Sequence, residues 1–394
     1  MTDTYVLTAG GTGGHVFPAQ ALAAELTDRG NAVCFITDRR GNSFSGQFPQ
    51  SKEYRVFAGA YANLGKVRKI KALILMAFGI LQCLFILRKI KPKAVVGFGG
   101  YASFPAAFAA GILGIPLVLH EQNSVLGGAN RVLAKRASLI ATTFPNVAKI
   151  PPKIKTAYTG VPVRPAILAL SGVPYQAPAD TFDLLIFGGS QGAHILSEVI
   201  PEALKALPVS VKYRLTAAQQ ARAADLPALE RAYADSGLKI ELAPFFSDMD
   251  KRLAKASLVI CRAGASTIAE LTAAGRPAVI VPILRSPDAH QLHNAEFMSQ
   301  NNAAFLIEEP DFTPEKLTAL ITELFNDAKK LITVANNAKL WLNPTRRRCW
   351  RMPLSKQETL NNDQFALFVR NASLCRHRRQ RDELHRRTDA QPWL

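Results

Sequence analysis

Three times in this chain a short apolar run is followed at once by a glycine-rich stretch and then by a helix-patterned segment. Tyr5-Val6-Leu7 leads into GGTGGHVFPA (residues 10–19), Ala94-Val95-Val96 into GFGGYASFPA (97–106), and residues 182–187 into GGSQGA (188–193). Apolar runs of that length with such flanks read as buried parallel strands, and each glycine stretch then lies on a strand-to-helix crossover. Gly10, Gly11, Gly13 and Gly14 leave backbone amides bare beside a helix N-terminus, expected near Pro18, and that combination suits a phosphate. His15 is the titratable side chain of that first loop, placed to act on whatever the amides hold. A tight turn with a capping histidine is the ordinary alternative.

A chain of 394 residues exceeds what one core usually organises, so two domains are expected. The boundary falls in residues 169–181, where Pro174 and Pro178 interrupt a stretch without periodicity. This divides the chain into 1–168, a linker at 169–181, 182–342, and a tail at 343–394. The formal charge is +18; the tail carries twelve Lys/Arg against five Asp/Glu, a net of +7, which leaves +11 for the first 342 residues. A basic body favours phosphorylated substrates or an anionic membrane surface over neutral partners. Five cysteines without a CxxC pair fit a reduced, cytoplasmic setting, and the N-terminus shows no signal-peptide pattern.

Residues 66–93 are the second unusual region. Lys66, Arg68, Lys69 and Lys71 precede a 16-residue apolar run, 72–87, broken by Gly79 and Gln82, and Arg88, Lys89, Lys91 and Lys93 follow. The run is shorter than the roughly 20 residues a spanning helix needs, so a core helix or one lying on an anionic membrane surface is expected. Further on, residues 117–119 form a strand that delivers His120, Glu121, Gln122 and Asn123 to the edge occupied by the first two glycine loops.

The second half restarts the pattern. In CRAGASTIAEL (261–271) a strand opens into Ala263-Gly264-Ala265, and Ser266 begins a helix with Glu270 one turn in. Free amides there suit a diphosphate and Glu270 a ribose diol; Ser266 as a plain N-cap is the ordinary alternative. SPDAHQLHN (286–294) is dense in polar side chains but lacks HxxxH spacing, and reads as sugar-hydroxyl recognition rather than a metal site. Phe246 ends a strand where its backbone suits a base. Asp38, at the end of the second strand, supports a rival reading as an NAD(P)-linked oxidoreductase, although the loop does not match GxGxxG in register.

GGTGGHVFPA, GFGGYASFPA, LHEQN, PVRP, GGSQGA, CRAGASTIAE and HQLHNA, in this order and spacing, resemble the MurG family of bacterial peptidoglycan N-acetylglucosaminyltransferases over residues 4–335. The resemblance implies an α/β GT-B fold, two Rossmann-like doubly wound domains facing a cleft. It implies inverting transfer of N-acetylglucosamine from UDP-N-acetylglucosamine to undecaprenyl-diphosphate-linked muramyl-pentapeptide, lipid I to lipid II. No metal or cofactor is implied, the expected location is the cytoplasmic face of the inner membrane, peripherally, and nucleic acid is not an expected partner. Thr12, Gly13, Gly14, Asn123, Arg164, Ser190, Phe246, Ala265, Ser266, Thr267, Ile268, Ala269, Glu270 and Gln291 look like donor contacts. Among them Glu270 would take the ribose, Phe246 the uracil and Gln291 the sugar hydroxyls. His15 looks like the general base, with Glu121 as support or competitor.

Two departures accompany the match. Val161 stands where the family has Asn, and from Asn343 the pattern dissolves into NPTRRRCWRMPLSK and an Arg-rich run ending RHRRQRDELHRR. That tail reads as an altered reading frame, a disordered basic extension, or a lipid- or nucleic-acid-binding addition. An impaired frame variant acting as an anionic-lipid or nucleic-acid binder is the corresponding alternative function.

Overall fold

The computed structural model describes residues 3–10, 13–38, 51–59, 66–161, 163–189 and 192–341. Thr12, Ser190 and the tail at 343–394 lie outside them. The chain forms two compact units that divide between Pro165 and Ala166.

The first unit is a wholly parallel seven-stranded sheet with helices on both faces. Its elements run β1 (Thr4–Thr8), α1 (Gly13–Asp28), β2 (Ala32–Asp38), β3 (Lys52–Val56), α2 (Lys66–Ile90), β4 (Ala94–Gly97), α3 (Phe104–Ile112), β5 (Leu117–Glu121), α4 (Gly128–Leu133), β6 (Leu139–Thr142) and β7 (Thr156–Tyr158). The sheet order is β3-β2-β1-β4-β5-β6-β7, so the winding direction reverses between β1 and β4, where the first two glycine loops emerge. A doubly wound sheet opens its ligand crevice at that reversal. Each interior strand is apolar on both faces because each face is covered: one by α1 through Val16, Ala19, Leu22 and Leu26, the other by α2, α3 and α4.

The second unit opens with α5 (Pro165–Ala169) and continues through β8 (Phe182–Phe187), α6 (His194–Lys205), α7 (Val209–Arg214), β9 (Leu215–Gln220), α8 (Leu226–Tyr233), β10 (Lys239–Ala243) and α9 (Met249–Lys255). Then follow β11 (Leu258–Cys261), α10 (Ala265–Ala274), β12 (Ala278–Ile280), α11 (His290–Gln300), β13 (Phe305–Leu306), α12 (Pro314–Asn326) and α13 (Ala328–Leu340). Its parallel order β10-β9-β8-β11-β12-β13 reverses between β8 and β11, again beneath a pair of loops. The segment read as a linker is anchored in this unit: Tyr175 is buried and its hydroxyl donates to the Ser257 carbonyl at 2.8 Å.

Several expectations need correction. Helix α1 starts at Gly13, not near Pro18, so Gly13, Gly14 and His15 form its first turn and Pro18 lies inside it. Strand β3 and strand β9 carry no apolar run that would reveal them: KEYRV is an edge strand, and LTAAQQ buries Gln219 by accepting the Tyr233 hydroxyl at 2.8 Å. Ser266 is not an N-cap; Gly264 holds that position and no side chain caps α10.

The largest correction concerns α2. Its 25 residues exceed the 16-residue apolar run, and Lys69–Ile90 is long and apolar enough to cross a membrane by length and composition. Its two interruptions explain its seating. A Cβ at Gly79 would fall on the Phe57 carbonyl oxygen, and the Gln82 side-chain oxygen accepts the Phe57 amide at 2.9 Å. Gly79 and Gln82 therefore face inward, with Ala72, Cys83 and Leu87, while Ile70, Leu73, Ile74, Phe78, Leu81 and Phe85 are each more than half exposed. Those six recur at helical spacing and form one stripe.

Candidate active site

In the first unit the two crossover loops meet backbone to backbone. The Gly10 amide donates to the Gly99 carbonyl at 3.2 Å, and a Cβ at Gly10 would sit 3.1 Å from the Gly100 Cα. Side chains at either position would force the loops apart. Gly99 and Gly100 also have φ of +89° and +78°, which few residues besides glycine adopt. The imidazole of His15 lies on this joined surface: a Cβ on Gly99 would be 3.3 Å from its Cε1, and one on Gly100 3.4 Å from its Cδ2. His15 Nδ1 is buried without a closed hydrogen bond. Burial holds the ring below the usual histidine pKa, against the Phe98 backbone and the Gln122 side chain, which favour the charged form.

Strand β5 separates the polar residues of LHEQN by alternation. Val118 packs with the α1 face and Leu119 with the α2/α3/α4 face, so His120 points toward the α1 side and Glu121 away from it. The His120 ring packs on Phe98 at 5.5 Å between centroids, and its Nε2 lies 3.0 Å from the Gly160 carbonyl. Desolvation lowers its pKa to about 4. Glu121 is clamped from four directions. Its Oε1 accepts the Asn123 amide at 3.0 Å and the Asn123 side chain at 3.3 Å; its Oε2 accepts the Gly127 amide and the Asn130 side chain, both at 2.9 Å. Burial raises its pKa while these four donors pull the other way. The carboxylate thus folds residues 121–130 into a fixed loop and sets the orientation of Asn123. Arg164 places its guanidinium over Phe17 of α1, 5.7 Å from the ring centre.

In the second unit, α10 starts behind Gly264 at the end of β11, at the reversal point of the sheet. Its ten residues carry the partial positive charge of a helix N-terminus, and Ala265, Ser266, Thr267, Ile268, Ala269 and Glu270 form its first two turns. The loop before it is held from below: Asn294, fully buried, donates to the Ala263 carbonyl at 3.2 Å, and Arg262 donates to the Val281 carbonyl at 3.0 Å and pairs with Glu309 at 2.6 Å. Gln291 stands in the first turn of α11, where its side-chain oxygen accepts the Ile283 amide at 3.1 Å. That bond turns the Gln291 amino group away from the β12–α11 loop. Phe246 has its ring buried under the Arg252 guanidinium at 3.9 Å, so its backbone is the part left to meet a base.

Sequence reasoning missed two features here. Arg262 and Glu309 lie 47 positions apart and signal nothing until the fold joins them. Asp288 and Ala289, with φ of 53° and 52°, are consecutive left-handed residues directly before Gln291. Neither is glycine, and such conformations cost on the order of 1–3 kcal/mol each, so the surrounding fold must impose them. Among the described residues, no group of three or more His, Cys, Asp or Glu side chains gathers as a metal site.

Comparison with known proteins covers both units. Residues 5–142 match the glycosyltransferase family 28 N-terminal domain and residues 183–344 its C-terminal domain. A UDP-N-acetylglucosamine–N-acetylmuramyl-(pentapeptide) pyrophosphoryl-undecaprenol N-acetylglucosamine transferase of Paramagnetospirillum magneticum is 46% identical over 336 residues, 84% of this chain and 90% of that protein. Its counterpart in Rhodospirillum centenum is 45% identical, over 85% and 89%. The crystal structure of Acinetobacter baumannii MurG superposes with a TM-score of 0.69 at 32% identity, covering 86% of this chain and 95% of that one.

Proposed function

The chain belongs to glycosyltransferase family 28, and from that membership we propose how its two halves share one glycosyl transfer. It is a hexosyltransferase of the GT-B fold that moves N-acetylglucosamine from UDP-N-acetylglucosamine to lipid I, giving lipid II for cell-wall synthesis. Nothing in the fold or in its relatives favours an NAD(P)-linked oxidoreductase or a binder without turnover.

The second unit takes the donor. The N-terminus of α10, together with the GGSQGA loop beside it at the sheet reversal, receives the diphosphate; Glu270 bonds the ribose diol, the Phe246 backbone the uracil, and Gln291 the sugar hydroxyls. A helix N-terminus stabilises the diphosphate more as negative charge grows on it during departure, which is the differential binding that accelerates the step. The first unit takes the acceptor. The joined loops at Gly10 and Gly99–Gly100 receive the lipid diphosphate, and His15 removes the proton of the muramyl 4-hydroxyl as that oxygen attacks the anomeric carbon from the face opposite UDP. One displacement of this kind inverts the anomeric centre. The observation that carries this reading is the imidazole of His15 lying on the seam of two glycine crossovers: a base beside a ready anion cradle. Glu121, saturated by four donors on the other face of β5, supports Asn123 and the loop rather than taking the proton.

The same unit supplies the membrane contact. The exposed α2 stripe is flanked by Lys71 before it and Arg88, Lys89, Lys91 and Lys93 after it, all exposed, and Ile112 of α3 adds another exposed apolar side chain beside it. The helix lies in the lipid interface instead of spanning, because Gly79, Gln82, Cys83 and Leu87 are built into the domain and a spanning helix would have to surrender them. The location that follows is peripheral, on the cytoplasmic face of the inner membrane, and the charge serves anionic lipid rather than nucleic acid.

Transfer of labelled N-acetylglucosamine to a lipid I analogue tests the whole reading. Turnover without a nicotinamide cofactor is the expected outcome; no product with either donor-bound protein or lipid-bound protein would sink it.

A further inference from the structure

Resting on the reading of His15 as the base, the structure raises the question of which ring nitrogen does the work and what holds it. A neutral imidazole has one N–H and one lone pair, and only a bare, reachable nitrogen takes a proton. Nδ1 of His15 is buried, so an acceptor hydroxyl cannot reach it; Nε2 is not among the buried, unpartnered atoms. The groups that face the ring from within the unit are the Phe98 backbone, the Gln122 side chain and, as the titratable neighbour, His120. His120 is tied by Nε2 to the Gly160 carbonyl at 3.0 Å. Gln122 is 4% exposed, and its Nε2 donates to the Phe98 carbonyl at 3.4 Å. A carbonyl only accepts, so this bond fixes the carboxamide with its amino group toward Phe98 and leaves Oε1 as its accepting atom.

We propose that Gln122 is the positioning residue of the base: anchored on Phe98, it offers Oε1 to the inner edge of the His15 ring, so that Nδ1 keeps its proton and Nε2 stays bare for the acceptor hydroxyl. The two glycines under the ring complete the arrangement, since a side chain at Gly99 or Gly100 would press on Cε1 or Cδ2 and tilt the imidazole away from Gln122. The Nδ1 contact is open in this unliganded conformation, and bonds of this type commonly tighten when substrate is bound. Glu121 cannot replace Gln122, because strand alternation sends it to the other face of the sheet.

The test reads the tautomer directly. In protein labelled with 15N-histidine, the His15 signals, assigned by their loss in His15→Ala, should show a protonated Nδ1 and a bare Nε2. Gln122→Met should yield a mixture of tautomers and lower kcat roughly 10- to 100-fold, with KM for UDP-N-acetylglucosamine within about twofold of wild type. Gln122→Glu, which keeps an acceptor at the same place, should restore the tautomer and most of kcat. A wild-type spectrum with the proton on Nε2, or Gln122→Met with an unchanged tautomer and unchanged kcat, overturns the proposal. The wild-type spectrum needs no variant to fold. Retained turnover in His15→Ala would instead remove the base reading, whatever tautomer the ring shows.

Discussion

At the residue scale, the site divides its carboxylates and imidazoles by environment. His15 is desolvated and carries a depressed pKa. A base works in its neutral form, so kcat should hold on acidification past the ordinary histidine pKa of about 6.5 and fall only below it. A pH–rate profile of kcat with its acid limb at or above that value would contradict the assignment. His15→Ala should lose turnover by roughly 100- to 10,000-fold while binding UDP normally by calorimetry. Glu270→Ala should do the reverse, weakening UDP-N-acetylglucosamine by about 1.5–3 kcal/mol, the range for a hydrogen bond to a charged group, with a smaller effect on saturated turnover. Equal donor affinity in that variant would take Glu270 off the ribose.

At the element scale, α2 decides how the first unit meets its lipid substrate. Replacing Leu73, Phe78 or Leu81 by Glu on the exposed stripe should weaken binding to vesicles containing anionic lipid and leave UDP affinity unchanged; vesicle binding equal to wild type would return the stripe to an ordinary surface. Gly79→Val on the opposite face is a different experiment. It drives a side chain into the Phe57 carbonyl and should cost about 3 kcal/mol or more, seen as a lower urea midpoint. The contrast was only half legible in the sequence. Composition marked the segment as unusual, but Gly79 and Gln82 read there as blemishes in an apolar run. In the folded unit they are the inward face, because the end of β3 needs a partner for the Phe57 amide and room for its carbonyl.

At the scale of the whole molecule, ligand binding and acid stability are both readable. A thermal shift with UDP-N-acetylglucosamine and none with NAD(P)H is expected, and the opposite pattern would contradict the transferase. His120 adds a pH term. Its folded pKa, about 4, lies below the unfolded value of about 6.5, so the unfolded chain binds the proton more readily. Its contribution to stability is therefore complete above about pH 6.5 and is lost as pH falls toward 4, on the order of 3 kcal/mol in total. His120→Asn should flatten the decline of denaturation free energy across that window.

The sequence by itself determined the two doubly wound units, the strand–glycine–helix crossovers and the residue types at their ends, because buried parallel strands and helix starts are written in contiguous stretches. Local pattern also sufficed for His15, Glu270 and Gln291 as candidates. It misplaced the start of α1, hid β3 and β9, and could not choose between His15 and Glu121. That choice depended on which face of β5 each side chain takes, and on four donors brought to Glu121 from positions 123, 127 and 130. Likewise the contact of Gly10 with Gly99 and Gly100 exists only because β1 and β4 are neighbours in the sheet. Hydrophobic period records what each segment buries. Which polar groups end up within hydrogen-bond reach is set by strand order and alternation, which only the tertiary structure supplies.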